Sequence, residues 1–183
     1  MGQFVDNLKS LPPADNVVLL RLFDAQDRLV SLIPNMAEKS GPLRVFHHIA
    51  GEKEVIDADA AGEGLRSFGE YIEKAQNHPG RHQKIEMLMN LKPTERIRVQ
   101  TVTSSQKNLL QILNDQKANA EETEAFIELL NQGLVRAAEK VNGVWEPQTY
   151  TIDGVLNYFG THQNMVMGNG YYDKIPLKTA NYS

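Results

Sequence analysis

"NVVLLRLFDAQDRLVSLI" runs from Asn16 to Ile33. Val17, Val18, Leu19, Leu20 and Leu22 precede a polar turn, Asp24-Ala-Gln-Asp27; Leu29 and Val30 then lead to Leu32 and Ile33. Two apolar runs around a short polar turn predict a β-hairpin. Pro34 and the polar "NMAEKSGP" end it. "LRVFHHIA" (Leu43–Ala50) reads as a third strand, and "ERIRVQTV" as a half-exposed one, with Ile97 and Val99 alternating with Arg96 and Arg98. Between them, Ala61, Leu65, Phe68, Ile72 and Ala75 recur at steps of four and three, which predicts one helix from Asp57 to Gln76. Asp57 is its N-cap. Gly62, Gly64 and Gly69 weaken the helix by about 1 kcal/mol each, so packing has to hold it. "NHPGRH" (Asn77–His82) ends it, and a short helix follows with Ile85, Leu88 and Met89.

Beyond Val102 the pattern changes. "SSQKNLLQILNDQK" places Leu109, Leu110, Ile112 and Leu113 on one side of a helix. A second helix starts near Asn119, whose partner Glu122 three residues on makes a capping-box variant. Gly133 sits where a C′ glycine ends such a helix. Asn142-Gly143 between apolar-flanked segments is a strong hairpin signal, because both residues tolerate φ > 0. Val155, Leu156 and Phe159 predict another helical turn or two, with irregular chain after it. The fold class expected is α+β, in two small mixed units, 1–102 and 104–183, each with helices and a short antiparallel sheet or hairpin. No β-helix repeat is present. The joint at Val102–Ser105 is short, so the units touch.

The 183 residues contain no cysteine and carry a formal charge of −4. Disulfides, thiolate nucleophiles and cysteine zinc sites are excluded together. Neither half is basic, which argues against a nucleic-acid partner. No run approaches the roughly 18–20 apolar residues of a membrane helix, and the N-terminus lacks the pattern of a secretory signal. A cytoplasmic location is expected.

The candidate chemistry is thin. His47-His48 in a strand point to opposite faces and cannot share a metal. His78 and His82 flank Pro79-Gly80, where a loop metal or anion site is conceivable, although a solvated turn is the simpler reading. Glu52, Glu54, Asp57 and Asp59 lack a calcium-loop pattern and suit a helix N-terminus. "MGNG" (Met167–Gly170) is too short for a phosphate cradle. Tyr150, Tyr158 and Phe159 read as core. No catalytic, cofactor-binding or metal residue is assigned.

From Ser104 onward the chain resembles the N-terminal domain of bacterial tetrahydrodipicolinate N-succinyltransferase. "SSQKNLLQILND" is similar to that family's opening helix. "GLVRAAEKVNGVW" (Gly133–Trp145) is similar to its Gly-x-Leu-Arg-Val-Ala-Glu-Lys-x-Asp/Asn-Gly-x-Trp block, at Arg136, Glu139, Lys140, Gly143 and Trp145 among others. "YYDKIPLKTANYS" is similar to its Tyr/Phe-x-Asp-Lys-Ile/Val-Pro-x-Lys segment, at Asp173, Lys174, Pro176 and Lys178. One stretch departs: where the family has Trp-x-Lys-Lys-Ala, this chain has Tyr150, Thr151, Ile152, Asp153 and Gly154. The resemblance implies a role in lysine and diaminopimelate synthesis. In the family a left-handed β-helix of hexapeptide repeats follows this domain. Its trimers bind succinyl-CoA and the amino-keto acid, and the catalytic acids lie in that part. None of them falls within this chain, so Ser183 is expected to be an edge and the chain to be inactive as it stands. Succinyl-CoA is then a co-substrate only of a catalytic domain that follows. The alternative is a complete, non-catalytic interaction protein. Expected partners are a second copy or an intact succinyltransferase. Residues 1–102, through "FVDNLKSLP", "GPLRVFHHIA" and "NHPGRH", resemble an uncharacterised bacterial family, domain of unknown function 2322; this resemblance implies no activity.

Overall fold

A computed structural model describes residues 3–167 and 170–174. The Asn16–Ile33 hairpin forms as β1 (Val17–Phe23) and β2 (Leu29–Pro34). Its turn is held by the Asp24 carboxylate, which accepts the N–H groups of Gln26 and Arg28, both at 3.0 Å. With β3 (Val55–Ile56) and β4 (Ile97–Thr103), these strands make one antiparallel sheet of order β2-β1-β4-β3. β1 is therefore interior. Its first six residues are all buried, which explains a near-continuous apolar run in place of alternation. The register between β1 and β4 shifts between Val17 and Leu19. An extra residue there reverses the alternation.

That reversal divides the strand between two cores. Val17, Leu20 and Leu22 join Ile33, Ile56, Ile97 and Val99 in a cluster beneath the helices that lie between β2 and β4. Val18 and Leu19 join Val102 in a second cluster on the other side. The first cluster is covered by α1 (Phe4–Lys9), α2 (Ser40–Ala50), α3 (Ala58–Phe68), α4 (Tyr71–Asn77) and α5 (Gln83–Met89). The second is covered by α6 (Leu109–Asn114), α7 (Ala120–Asn131) and α8 (Thr149–Thr161). A hairpin of β5 (Ala138–Val141) and β6 (Val144–Pro147) separates α7 from α8; β7 (Met165–Met167) and β8 (Tyr171–Asp173) come after it. The fold is α+β with small antiparallel sheets.

Three expectations need correction. Leu43–Ala50 is not a strand but most of α2. Its buried residues Leu43, Phe46 and Ala50, with Val45 and Ile49 beside them, follow helical spacing. Pro42 lies in the first turn, where its missing N–H costs nothing. The Asp57–Gln76 helix is two helices, because Gly69 takes φ +54° after Phe68. Asp57 does cap α3, accepting the Ala60 N–H at 3.0 Å. Gly64 faces α2 and α5 so closely that a Cβ would stand 2.7 Å from Ile49 Cδ1 and 3.0 Å from Leu88 Cδ1. α6 contains Leu109, Leu110, Ile112 and Leu113 as their pattern predicts, and Asn108, at φ +53°, stands just before it. The region after α8 is not wholly irregular but contains the β7–β8 hairpin.

Candidate functional site

Arg21 lies between Leu19 and Phe23 on β1 and is 5% exposed. A charge that deep requires a partner. Its Nε donates to Glu139 Oε1 at 3.0 Å, its Nη2 donates to the Leu134 carbonyl at 2.9 Å, and Nη2 also meets Glu139 Oε1. Glu139 is equally buried and sits on β5.

The local sequence explains how Glu139 gets there. α7 opens with a complete capping box between Asn119 and Glu122. It ends at Gln132, with Gly133 at φ +70°. The Leu134 and Val135 N–H groups bond back to the Leu129 carbonyl at 2.9 and 3.2 Å, turning the chain toward the sheet. β5 then pairs with β6 through Asn142 and Gly143, at φ +49° and +82°. Asn142 is tied to β2: its N–H reaches the Leu29 carbonyl at 2.8 Å and its Nδ2 the Val30 carbonyl at 3.1 Å.

Between the sheet and this hairpin lies a cleft of about 330 Å³, with Arg21 and Glu139 among the residues lining it. Phe23 forms part of one wall, its ring covered by the Arg98 guanidinium at 4.0 Å, and Arg98 in turn pairs with Asp27. Arg136, Lys140 and Trp145 line the hairpin side; all three are exposed, Trp145 by 67%. Arg136 and Lys140 have no acidic partner among the described residues. Tyr150 is buried behind the pair and its hydroxyl has no hydrogen-bond partner among the described residues. Burial first, and then the charge of Glu139, push that hydroxyl above the ordinary tyrosine range, with Arg21 opposing. The floor is thus charge-compensated, and the rim offers two cations and an indole. That is recognition chemistry for an acidic or aromatic surface; no nucleophile stands beside a base in the lining.

The structure therefore brings Arg136, Glu139, Lys140 and Trp145 to one cleft, with Gly143 as their turn. Asp173 and Lys174 lie elsewhere, near the C-terminal end of α8: the Lys174 carbonyl accepts the Tyr158 hydroxyl at 3.1 Å, and Lys174 Nζ meets the Phe159 carbonyl. Pro176, Lys178, Gly168 and Asn169 lie outside the described residues. Tyr150 and Tyr158 are core, whereas Phe159 is 40% exposed and belongs to a surface stripe. His47 and His48 are half-exposed neighbours on a helix, not on opposite faces of a strand; His48 Nε2 is 3.2 Å from Glu63 Oε1. Burial holds the His47 imidazole below its usual range. His82 lines a separate hollow that does not include His78. Among the described residues, no group of three or more His, Cys, Asp or Glu could hold a metal ion, and no helix is long and apolar enough to cross a membrane.

The model of a family described as an uncharacterised protein conserved in bacteria (DUF2322) matches residues 4–102. The chain belongs to the DUF2322 family. The match includes Arg21 but ends well before Glu139, so the ion pair joins the DUF2322 region to the C-terminal part of the chain. A partial stretch of this DUF2322 chain is also similar to 2,3,4,5-tetrahydropyridine-2,6-dicarboxylate N-succinyltransferases. It is 42% identical over 60 residues to that of Tolumonas auensis, covering 31% of this chain and 22% of the relative. It is 43% identical over 60 residues to that of Buchnera aphidicola subsp. Schizaphis graminum, with the same shares. It is 36% identical over 72 residues to that of Serratia proteamaculans, covering 38% of this chain and 26% of the relative. The DUF2322 chain thus spans about a quarter or less of the length of these relatives. No solved structure matches it.

Arg21 is the residue that sequence reading passed over. The available signal was a lone arginine inside an apolar strand, which demands an acid from elsewhere; nothing in the sequence says which acid.

Proposed function

We propose that this chain is a non-catalytic unit of cytoplasmic tetrahydropyridine-dicarboxylate N-succinyltransferase function, in lysine and diaminopimelate synthesis. Its C-terminal part is a succinyltransferase-type front unit joined to a DUF2322 unit. Succinyl-CoA and the acceptor are handled by elements outside these 183 residues. The observation that carries this reading is the stretch of 42% identity to the Tolumonas auensis enzyme. Supporting it, Glu139 and Asn142 of the similar block fasten its hairpin to the sheet, leaving Trp145, Lys140 and Arg136 on the rim.

A second reading, docking onto a separate intact succinyltransferase, is favoured by α8. Ile152 and Asp153 stand where the resembled family has lysines, and Ile152 is 62% exposed in one stripe with Leu156 and Phe159. The test is to mix the purified chain with a succinyltransferase of the Tolumonas type and measure co-elution, together with CoA release from succinyl-CoA. The chain alone is expected to release no CoA, and co-elution is expected to be lost in Ile152→Asp, because a charge placed in an apolar contact is left desolvated and unpaired. Turnover by the chain alone overturns the first reading. Absence of co-elution overturns the second.

A further inference from the structure

A second hollow, of about 410 Å³, lies away from the cleft, between α1, the end of α3 and the α4–α5 loop. That volume is within the range of small-molecule sites. Its apolar side is a fixed set of rings. Phe4 stacks on Phe68 with centroids 5.5 Å apart and meets the Tyr71 ring edge-on at 5.3 Å; Tyr71 meets His82 edge-on at 6.0 Å. The Glu70 carboxylate anchors α1 by accepting the Phe4 N–H at 2.7 Å.

The opposite side is a pinned loop and the start of α5, which carry cations. Gly80 takes φ +87°, and one Glu86 oxygen accepts the N–H groups of Gly80 at 2.8 Å and His82 at 3.2 Å. Arg81 lines the hollow from this loop and Lys84 from the first turn of α5, and neither has an ion-pair partner among the described residues. Lys84 is half-buried. Burial, and then the charge of Lys39, pull its ammonium below the usual lysine range, with Glu146 opposing. Glu38 is the acid in the lining. A partly desolvated ammonium without a counter-ion is costly, and a bound anion removes that cost.

We propose that this hollow binds a small organic anion built on a flat ring, with the ring against Phe4, Phe68 and Tyr71 and the anionic group on Lys84 and Arg81. The proposal is independent of the succinyltransferase association, since none of these residues lines the cleft. Isothermal titration of the full chain at neutral pH tests it with three probes: benzoate, pyridine-2,6-dicarboxylate and inorganic phosphate. Saturable binding of at least one ring carboxylate is expected, with phosphate far weaker. Lys84→Gln is expected to weaken ring-carboxylate binding about tenfold or more; Arg81→Gln, at an exposed position, gives the same readout if the first variant fails to fold. No binding by either ring carboxylate, binding unchanged in the folded variants, or phosphate binding as well as the ring compounds overturns the proposal.

Discussion

Arg21 and Glu139 lie 118 positions apart and form one hydrogen-bonded pair, each side chain 6% exposed. Desolvating two charges is expensive, so a pair of this kind contributes little against a well-packed apolar replacement, while leaving one member alone is severe. Arg21→Met or Glu139→Gln alone is therefore expected to lower stability by about 3–5 kcal/mol, and Arg21→Met with Glu139→Leu to recover most of that loss. Urea denaturation of the three variants measures this; single losses below about 1 kcal/mol would show that the pair is not the joint between the segments. At this scale the sequence was legible where chemistry is local. Asn142-Gly143 needed only its own backbone to become a turn. The partnership of Arg21 needed the whole tertiary structure.

The same division holds for elements. α7 was readable because its signals are short-range: Asn119 Oδ1 accepts the Glu122 N–H at 3.0 Å, and Glu122 Oε2 accepts the Asn119 N–H at 2.8 Å. Asn119→Ala is expected to cost about 1 kcal/mol, seen as a lower midpoint in thermal or urea unfolding. An unchanged midpoint would mean that Phe126 and Leu129 hold α7 without its cap. α2 was misread because Leu43 and Val45 fit a two-residue period while Phe46, Ile49 and Ala50 fit only the helical one, and β-branched and aromatic residues tipped the choice toward strand. The break at Gly69 was hidden because Ala61 to Ala75 keep one apolar face across both α3 and α4. The cleft was half legible: its hairpin side carried the resembled block, whereas its sheet side looked like an ordinary buried strand.

At the scale of the molecule, the central sheet is walled on both faces. Val18, Leu19 and Val102 come from within the first 103 residues, yet they pack with Leu109, Leu110, Leu113, Phe126 and Tyr150. Asn35 adds a polar tie: its Nδ2 donates to the Ala14 and Val17 carbonyls, and its Oδ1 accepts from Gln111 at 2.9 Å. A fragment of residues 1–103 would expose that apolar face and is expected to self-associate, whereas the full chain would not do so through this face. Sedimentation of fragment and full chain checks this, and a monomeric, cooperatively folded fragment would sink it.

The bulge in β1 also decides what the sheet must hide from water. By turning Val18 and Leu19 outward together, it gives the DUF2322 sheet a second sticky wall, and in this chain the sequence after Thr103 serves as its cladding. Each part of the chain thus covers apolar surface that the other would otherwise present to water. A chain with only the matched region is expected to carry polar residues at positions 18, 19 and 102 or to keep that wall occupied by another chain.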